Sequence, residues 1–340
     1  GMLRFSLQRI LSALLTAFVV VSATFFIIRL VPGDPATAMA PPNARPAQIQ
    51  RVREYLGLDK PLYEQYALYL QRVAALDLGT SIRTNRPVLS DITARIPASV
   101  ELAAAAFLLE IVIAIPIGIL AAVRRGSRLD ILTRLSSSAI VGLPVFWVSL
   151  MFLWIFAFLL GLFPLGGRLE LQTDLPSVSG FVVIDSLIAG RLDIMVEGLH
   201  HLFLPALALA LPSIAFWTRL MRGSLLEVLG EDYVRTARAK GLKRRDVVMR
   251  HGVRNAMNPM VTVFGFELVA LLTGALLVEI VFAWPGVGNY IFGSLQVRDY
   301  PVVQGSVILI AFLYVTVNSI VDIVQARLDP RVLASIEGRT

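Results

Sequence analysis

Ile10-Leu11-Ser12-Ala13-Leu14-Leu15-Thr16-Ala17-Phe18-Val19-Val20-Val21-Ser22-Ala23-Thr24-Phe25-Phe26-Ile27-Ile28 carries no charged side chain. A bilayer's hydrocarbon core is about 30 Å thick and a helix rises about 1.5 Å per residue, so about 20 apolar residues cross it. Strand-like alternation at a barrel's spacing persists nowhere in the chain, so the run reads as a membrane helix. A secretory signal has an apolar region of about 7–15 residues and a small-residue cleavage site. This run is longer and leads into Arg29 and Val31-Pro32-Gly33-Asp34-Pro35. It is expected to be retained. Gly1, ahead of Met2, reads as a tag remnant.

Further apolar stretches qualify on the same ground. They are 102–123, whose one charge is Glu110, then 135–167, 198–218, 255–278, whose one charge is Glu267, and 300–321. Spans are therefore expected at about 10–30, 100–123, 137–160, 199–218, 259–282 and 302–324. The fold class is an all-α integral membrane protein, with 2–330 as a single domain and 331–340 as a C-terminal tail.

Composition agrees. Hydrophobic residues make up 56% of 340 and charged residues 16%, against roughly 25% charged in a soluble domain. Mean hydropathy is +0.72. These values point away from a soluble enzyme and a disordered chain. The absence of cysteine excludes disulfides, thiolate metal sites and cysteine nucleophiles. The histidines, His200, His201 and His251, leave little for a metal site. His200 and His201 read as interfacial.

The charges give an orientation. With the N-terminus inside, the inner segments 1–9, 124–134, 219–254 and 326–340 hold 19 Lys and Arg against 7 acids. The outer segments 29–98, 161–198 and 284–301 hold 12 of each sign. The positive-inside rule therefore puts both termini in the cytoplasm. Topology accounts for the basic loops, which lack the interleaved aromatics of a nucleic-acid surface, so no nucleic-acid partner is expected.

Outside, the external loop 31–98 holds two amphipathic patterns, at 48–55 and 63–76. In the second external loop, 161–198, the run 181–189 is too short to span and reads as a helix at the interface or packed on the bundle. Trp284-Pro285-Gly286-Val287-Gly288 reads as an outer gate or re-entrant turn, or as a tight turn with Trp284 in the interfacial aromatic belt. Pro116, Pro144, Pro205 and Pro212 are candidate kinks.

The inner loop 219–258 is the long one. Glu231 to Lys240 is expected to be helical, with Val234, Ala237 and Gly241 on one small face and Arg235, Arg238 and Lys240 beside it. Gly241 breaks the helix, and a second helix runs from about Lys243 to Met257. The small face suits close docking onto another protein; a basic helix lying on anionic lipid is the competing reading. Glu110 and Glu267 are costly at mid-bilayer, by about 2.5–3.5 kcal/mol each on insertion scales. They either line a polar pathway or hold helices together. Glu101, Glu279 and Asp322, near span ends, read as paired or interfacial.

Glu231-Asp232-Tyr233-Val234-Arg235-Thr236-Ala237-Arg238-Ala239-Lys240-Gly241-Leu242, with Arg250-His251-Gly252-Val253-Arg254-Asn255-Ala256 after it, resembles the coupling loop of ATP-binding cassette importer permeases. Segments elsewhere resemble the dipeptide/oligopeptide/nickel branch. They are Arg29-Leu30-Val31-Pro32-Gly33-Asp34-Pro35, Leu56-Gly57-Leu58-Asp59-Lys60-Pro61-Leu62 and Leu76-Asp77-Leu78-Gly79-Thr80-Ser81. They continue with His201-Leu202-Phe203-Leu204-Pro205-Ala206, Glu279 to Gly288, and Arg298-Asp299-Tyr300-Pro301-Val302-Val303-Gln304-Gly305. The long first external loop is similar to the first, B-type, subunit of the permease pair. The superfamily's Glu-Ala-Ala is here Arg235-Thr236-Ala237, the variant of the peptide branch, with Gly241 kept.

The resemblance implies a type I importer permease in a bacterial cytoplasmic membrane. Its partners would be a second homologous permease subunit, two cytoplasmic ATP-binding cassette subunits, an extracytoplasmic substrate-binding protein and membrane lipid. Tyr233, Val234, Arg235, Ala237, Arg238, Ala239, Lys240 and Gly241 would couple to the ATPase. The chain has no Gly-x-x-x-x-Gly-Lys-Ser/Thr phosphate loop, so ATP and Mg would belong to the partners, with no cofactor or metal on this chain. The expected cargo is a di- or oligopeptide, with glutathione or a nickel chelate as alternatives. An ion-driven secondary transporter, the rival of another class, would show internal repeats.

Overall fold

A computed structural model describes residues 2–30 and 32–328. Five helices are long and apolar enough to cross a membrane, within 6–30, 88–123, 192–230, 263–281 and 300–324. The expected third span corresponds to two helices, Arg128–Val141 and Val145–Leu159, bent by 108° at the break between them. Pro144 stands at that break with φ −64° and ψ 135°, and Gly142 ends the preceding helix. A proline cannot donate to the preceding turn and pushes its neighbour out of helical geometry, so an unbroken apolar run still snaps there. Beyond it, Leu153–Leu159 is wound as π-helix. The tail 331–340 lies outside the described residues.

Contacts divide the chain into two compact units, where the sequence reads as one domain. One is Pro97–Gly286; the other is formed by the segments before and after it.

In the outer-segment unit, Met2–Leu30 packs along Tyr300–Leu328, with Arg9 paired to Asp322 at 3.2 Å. Leu7, Leu11, Leu14, Leu15 and Phe18 stay exposed along the first helix, as lipid-facing residues should. The amphipathic patterns form Pro46–Leu56 and Leu62–Ala74. Gly57 caps the first of them at φ +66°, a left-handed conformation that favours glycine. Leu62–Ala74 is fastened to the first span: Tyr69 donates to Val21 O at 2.9 Å, and Arg29 grips Gln65 Oε1 with Nε and Nη2 at 3.1 and 2.9 Å. Two of the quoted motifs turn out to need one another. Ser81 donates to buried Asp299 at 2.6 Å, and a Cβ on Gly305 would lie 2.7 Å from Val88 Cγ1.

In the central unit the 39-residue helix Leu192–Gly230 is the axis. Arg128–Val141, Val145–Phe152, Val182–Ile188 and Asn258–Val281 pack on it. Lipid offers no hydrophobic drive between helices, so close approach by small residues does that work. A Cβ on Gly118 would sit 2.8 Å from Met221 Cβ and 2.9 Å from Thr218 O, and Ala103, Ala106, Ala114, Ala121 and Ala122 are buried on the same helix. Phe107, Phe264 and Trp217 fill the gap, with ring centroids 5.3 and 4.8 Å apart.

The second external segment is tied to this unit. Val182–Ile188 packs on the bundle, with Val182, Asp185 and Ser186 buried. Burial alone would raise the Asp185 pKa. The hydroxyl of Ser179 and the backbone N–H groups of Val178, Ser179 and Gly180 outweigh it and hold the carboxyl below its ordinary range. Arg168 reaches Glu101 at 2.8 Å. His200 and His201 donate to Leu162 O and Gly167 O at 2.8 and 3.2 Å, so they are loop fasteners.

Trp284 corrects its reading as an interfacial belt residue. It is fully buried, its Nε1–H donates to Ala98 O at 2.8 Å, and its N–H bonds to Glu279 O at 2.8 Å. The turn closes over Glu279 so tightly that a Cβ on Gly286 would meet the carboxylate within 2.5 Å. Ser99 donates to Glu279 Oε1 at 2.5 Å. The Trp-Pro-Gly turn therefore locks the end of one span onto the start of another.

Candidate functional site

The axial helix ends at Gly230, Glu231 turns extended at ψ 148°, and the helix Asp232–Ala239 follows. Gly241 stands at φ +78°, so the chain reverses there as expected for a left-handed glycine. The return helix is continuous from Arg244 to Ala256, with Val247–Val253 wound as π-helix. A π segment is an irregularity that functional sites often keep.

The expected small docking face is corrected by the packing. Val234 is fully buried and Ala237 is 7% exposed; with Val247 they make a core of their own against Val228 and Leu229. That face looks inward because the return helix supplies apolar partners for it. What the helix offers to the outside is Tyr233, Arg235, Thr236, Ala239 and Lys240, followed by Gly241 with no atom near its Cβ position. The Arg235 side chain is 72% exposed, and the acid it pairs with, Asp232 at 3.2 Å, is itself 95% exposed. Such a pair contributes about 0–1 kcal/mol, so the guanidinium is free to be recruited by another surface. The Arg238 side chain lies outside the described residues.

The loop is also joined to the ends of several spans. A Cβ on Gly252 would lie 2.9 Å from Leu225 Cδ1 and 3.2 Å from Leu229 Cδ2, so glycine there lets the return helix lie against the axial helix. Asn255 donates to Tyr233 OH at 3.0 Å and to His251 O at 2.9 Å, bracing the two loop helices together. Arg244 Nη2 donates to Val123 O at 3.1 Å, satisfying a carbonyl at the last residue of Ile96–Val123. After Met257 the chain enters Asn258–Val281 directly. A cavity of about 300 Å³ lies at this junction, lined in part by Ala122, Val123, Leu229, Arg244 and Val248. The loop thus touches or continues into three of the long helices.

Above this lies a pair the sequence did not single out. Asp130 is 2% exposed and Arg222 18%, and they join bidentately, Nε to Oδ1 at 2.5 Å and Nη2 to Oδ2 at 2.9 Å. Gly126 N–H also donates to Asp130 Oδ2, at 2.9 Å. In the sequence both residues count only as members of basic inner segments.

Glu110 and Glu267 are brought together, inside the unit rather than on an open surface. Glu110 is 2% exposed beside Trp217, Met260 and Phe264. Glu267, 9% exposed, accepts from Ser213 Oγ at 2.6 Å. That bond joins Leu192–Gly230 to Asn258–Val281, and Glu110 of Ile96–Val123 is buried in the same unit.

The family described as binding-protein-dependent transport system inner membrane component matches residues 114–334, and its N-terminal companion matches 2–103. The chain belongs to this family. The permease is therefore a multi-pass protein of the inner membrane and a transport subunit rather than an enzyme. Permeases of this kind work with ATPase and substrate-binding partners. The permease is 39% identical to the dipeptide transport system permease protein DppB of Alkalihalophilus pseudofirmus over 331 residues, 97% of this chain and 99% of that one. It is 44% identical to the probable D,D-dipeptide transport system permease protein DdpB of Escherichia coli over 310 residues, 91% of each. To the oligopeptide transport system permease protein AppB of Bacillus subtilis it is 37% identical over 310 residues, 91% and 92% of the two chains. The resemblance to the peptide branch of ATP-binding cassette importer permeases thus extends along most of the chain.

Proposed function

We propose that this permease is the B-type membrane subunit of an ATP-driven importer for di- and oligopeptides. Its partners are a homologous second permease, two ATPase subunits and an extracytoplasmic binding protein. The observation that carries the reading is the loop 231–256: a polar face turned outward, an apolar face turned inward, and ties to three transmembrane helices. The cargo rests on the relatives, which are dipeptide and oligopeptide permeases. The charge asymmetry supports a cytoplasmic loop and cytoplasmic termini. ATP and Mg bind the partners, and this chain holds no cofactor.

In this reading the ATPase grips Tyr233, Arg235, Ala239, Lys240 and Gly241. Val234 and Ala237 make the loop rigid enough to push. Rigid-body displacement of packed elements is a common form of switching, because packed interfaces are bistable. Alternating access follows as the three attached helices tilt together. Glu110 and Glu267 serve as a polar joint between those helices rather than as a lining for the cargo.

The test is uptake by proteoliposomes holding the complete transporter, with labelled dipeptide, glutathione and a nickel chelate offered in turn. Dipeptide uptake that needs ATP and the binding protein is the expected result. Uptake driven by an ion gradient without ATP contradicts the reading, and glutathione or nickel uptake alone moves the cargo. In the same assay Gly241→Val forces a β-branched residue to φ +78°, a strain of about 1–2 kcal/mol. That is too little to unfold the chain, but it redirects the turn. Uptake is expected to fall at least about tenfold with ATP hydrolysis retained, as expected when about 1.4 kcal/mol of coupling is lost. Undiminished uptake would remove the lever.

A further inference from the structure

We infer that the outer-segment unit carries a binding site for the phosphate headgroup of a membrane glycerophospholipid, in a cavity of about 480 Å³ between Arg29, Arg72, Tyr55 and Ile308. The cavity is of the size that small ligands fill. Ile28 and Arg29 stand at the end of the first span, and Ile308 belongs to the last, so the cavity opens where headgroups lie.

Its cations, Arg29, Arg51 and Arg72, outnumber the acid in its lining, Asp77. Among the described residues Arg29 is held by neutral partners: Gln65 Oε1, Phe25 O at 3.2 Å and the Phe25 ring at 3.5 Å. Arg72 lies over the Tyr55 ring at 4.1 Å, and no acid pairs with it among the described residues. The two guanidiniums feel one another's charge, and Arg51 adds a third at the wall. Asp77, the acid of the lining, accepts from the Tyr55 hydroxyl and the Gly79 N–H, each at 3.0 Å, and its single charge offsets only one of the three arginines. Like charges gathered around a cavity repel unless an anion joins them, and arginine forks match phosphate oxygens. Much of the remaining lining is apolar, with Met39, Val52, Leu56, Val73, Leu78 and Ile308, although Thr80 and Gln304 also face the cavity. An anionic head with a hydrocarbon tail satisfies both halves. Free phosphate satisfies only one, and a peptide's carboxylate would bring polar backbone against the apolar wall.

The experiment uses the complete transporter in detergent, stripped of lipid. Phosphatidylglycerol, phosphatidylcholine, inorganic phosphate and a dipeptide are added separately, with bound molecules counted by native mass spectrometry and melting temperature followed. Phosphatidylglycerol should be retained and should raise the melting temperature. Arg72→Gln should weaken retention about tenfold, the usual loss when a charge-assisted hydrogen bond is removed. Val52→Trp, which fills the cavity from an exposed helix and leaves every charge in place, should weaken it likewise. Arg45→Gln, the same charge change on a residue outside the cavity lining, should not. Equal retention by all variants, equal protection by inorganic phosphate, or protection by the dipeptide instead of the lipid each overturns the assignment.

Discussion

Reversing Arg235 and Lys240 together to glutamate is expected to release the ATPase from this permease and to cut dipeptide uptake about a hundredfold, while the chain still inserts and folds. Both side chains are exposed and neither belongs to the loop's own core. The ion pair that Arg235 makes with Asp232 lies in water and contributes about 0–1 kcal/mol. Within an interface, placing like charges opposite one another costs several kcal/mol, and about 2.7 kcal/mol is a hundredfold in affinity. Copurification of the ATPase with the variant and uptake in proteoliposomes measure the two effects. Val234→Asp fails differently. It puts a charge into the buried contact with Val247 and Leu229, so the loop itself is lost and the protein is degraded or melts early. A variant at Arg235 and Lys240 that imports normally would show that the ATPase grips another surface.

Arg222→Ala is the largest expected loss of stability. It leaves the Asp130 carboxylate buried without its partner, which typically costs about 3–5 kcal/mol. The melting temperature in detergent should fall sharply. Removing both charges, as Asp130→Leu with Arg222→Met, should restore most of the loss, because a buried pair exchanged for apolar residues of similar volume is often neutral or better. The comparison also separates structure from coupling. If the double variant is stable and imports, the pair is an anchor; if it is stable and does not import, the pair also takes part in moving the helices.

Much of the fold is legible in the sequence because lipid imposes a simple rule: an apolar run of sufficient length, with at most one charge, is a helix. The runs around Leu14, Ala106, Leu209, Leu271 and Ile310 all form one. The same rule is blind at Pro144, where the charge-free run that begins at Leu135 is interrupted by a 108° bend. Pro144 is visible as a candidate kink, but a kink and a break look alike until the neighbouring helices are placed. Pro205 and Pro212, by contrast, sit inside an unbroken helix.

The coupling loop shows the second limit. Its helices, its glycine turn and its exposed basic residues are legible from local pattern. Which face points outward depends on Val247 and Leu229, brought in by the return helix and the axial helix, and helical spacing within 231–241 cannot reveal that. Trp284 is misread for the same reason. An aromatic residue at a span end suggests the interfacial belt, whereas its partner, Ala98 O, is 186 residues away. Asp130 and Arg222, 92 apart, are visible only as loop charges. Glu110 and Glu267 are conspicuous as mid-span acids, but their burial beside Ser213 and Trp217 is a product of packing.

Site-specific cross-linking to the ATPase subunit tests the central claim most directly. The chain contains no cysteine, so each introduced thiol is unique. The account predicts cross-links in the assembled transporter from Arg235→Cys and Lys240→Cys, weakened when nucleotide moves the loop, and none from Val234→Cys or Ala237→Cys. Cross-links from the two buried positions, or none from the exposed pair in an intact complex, would contradict it.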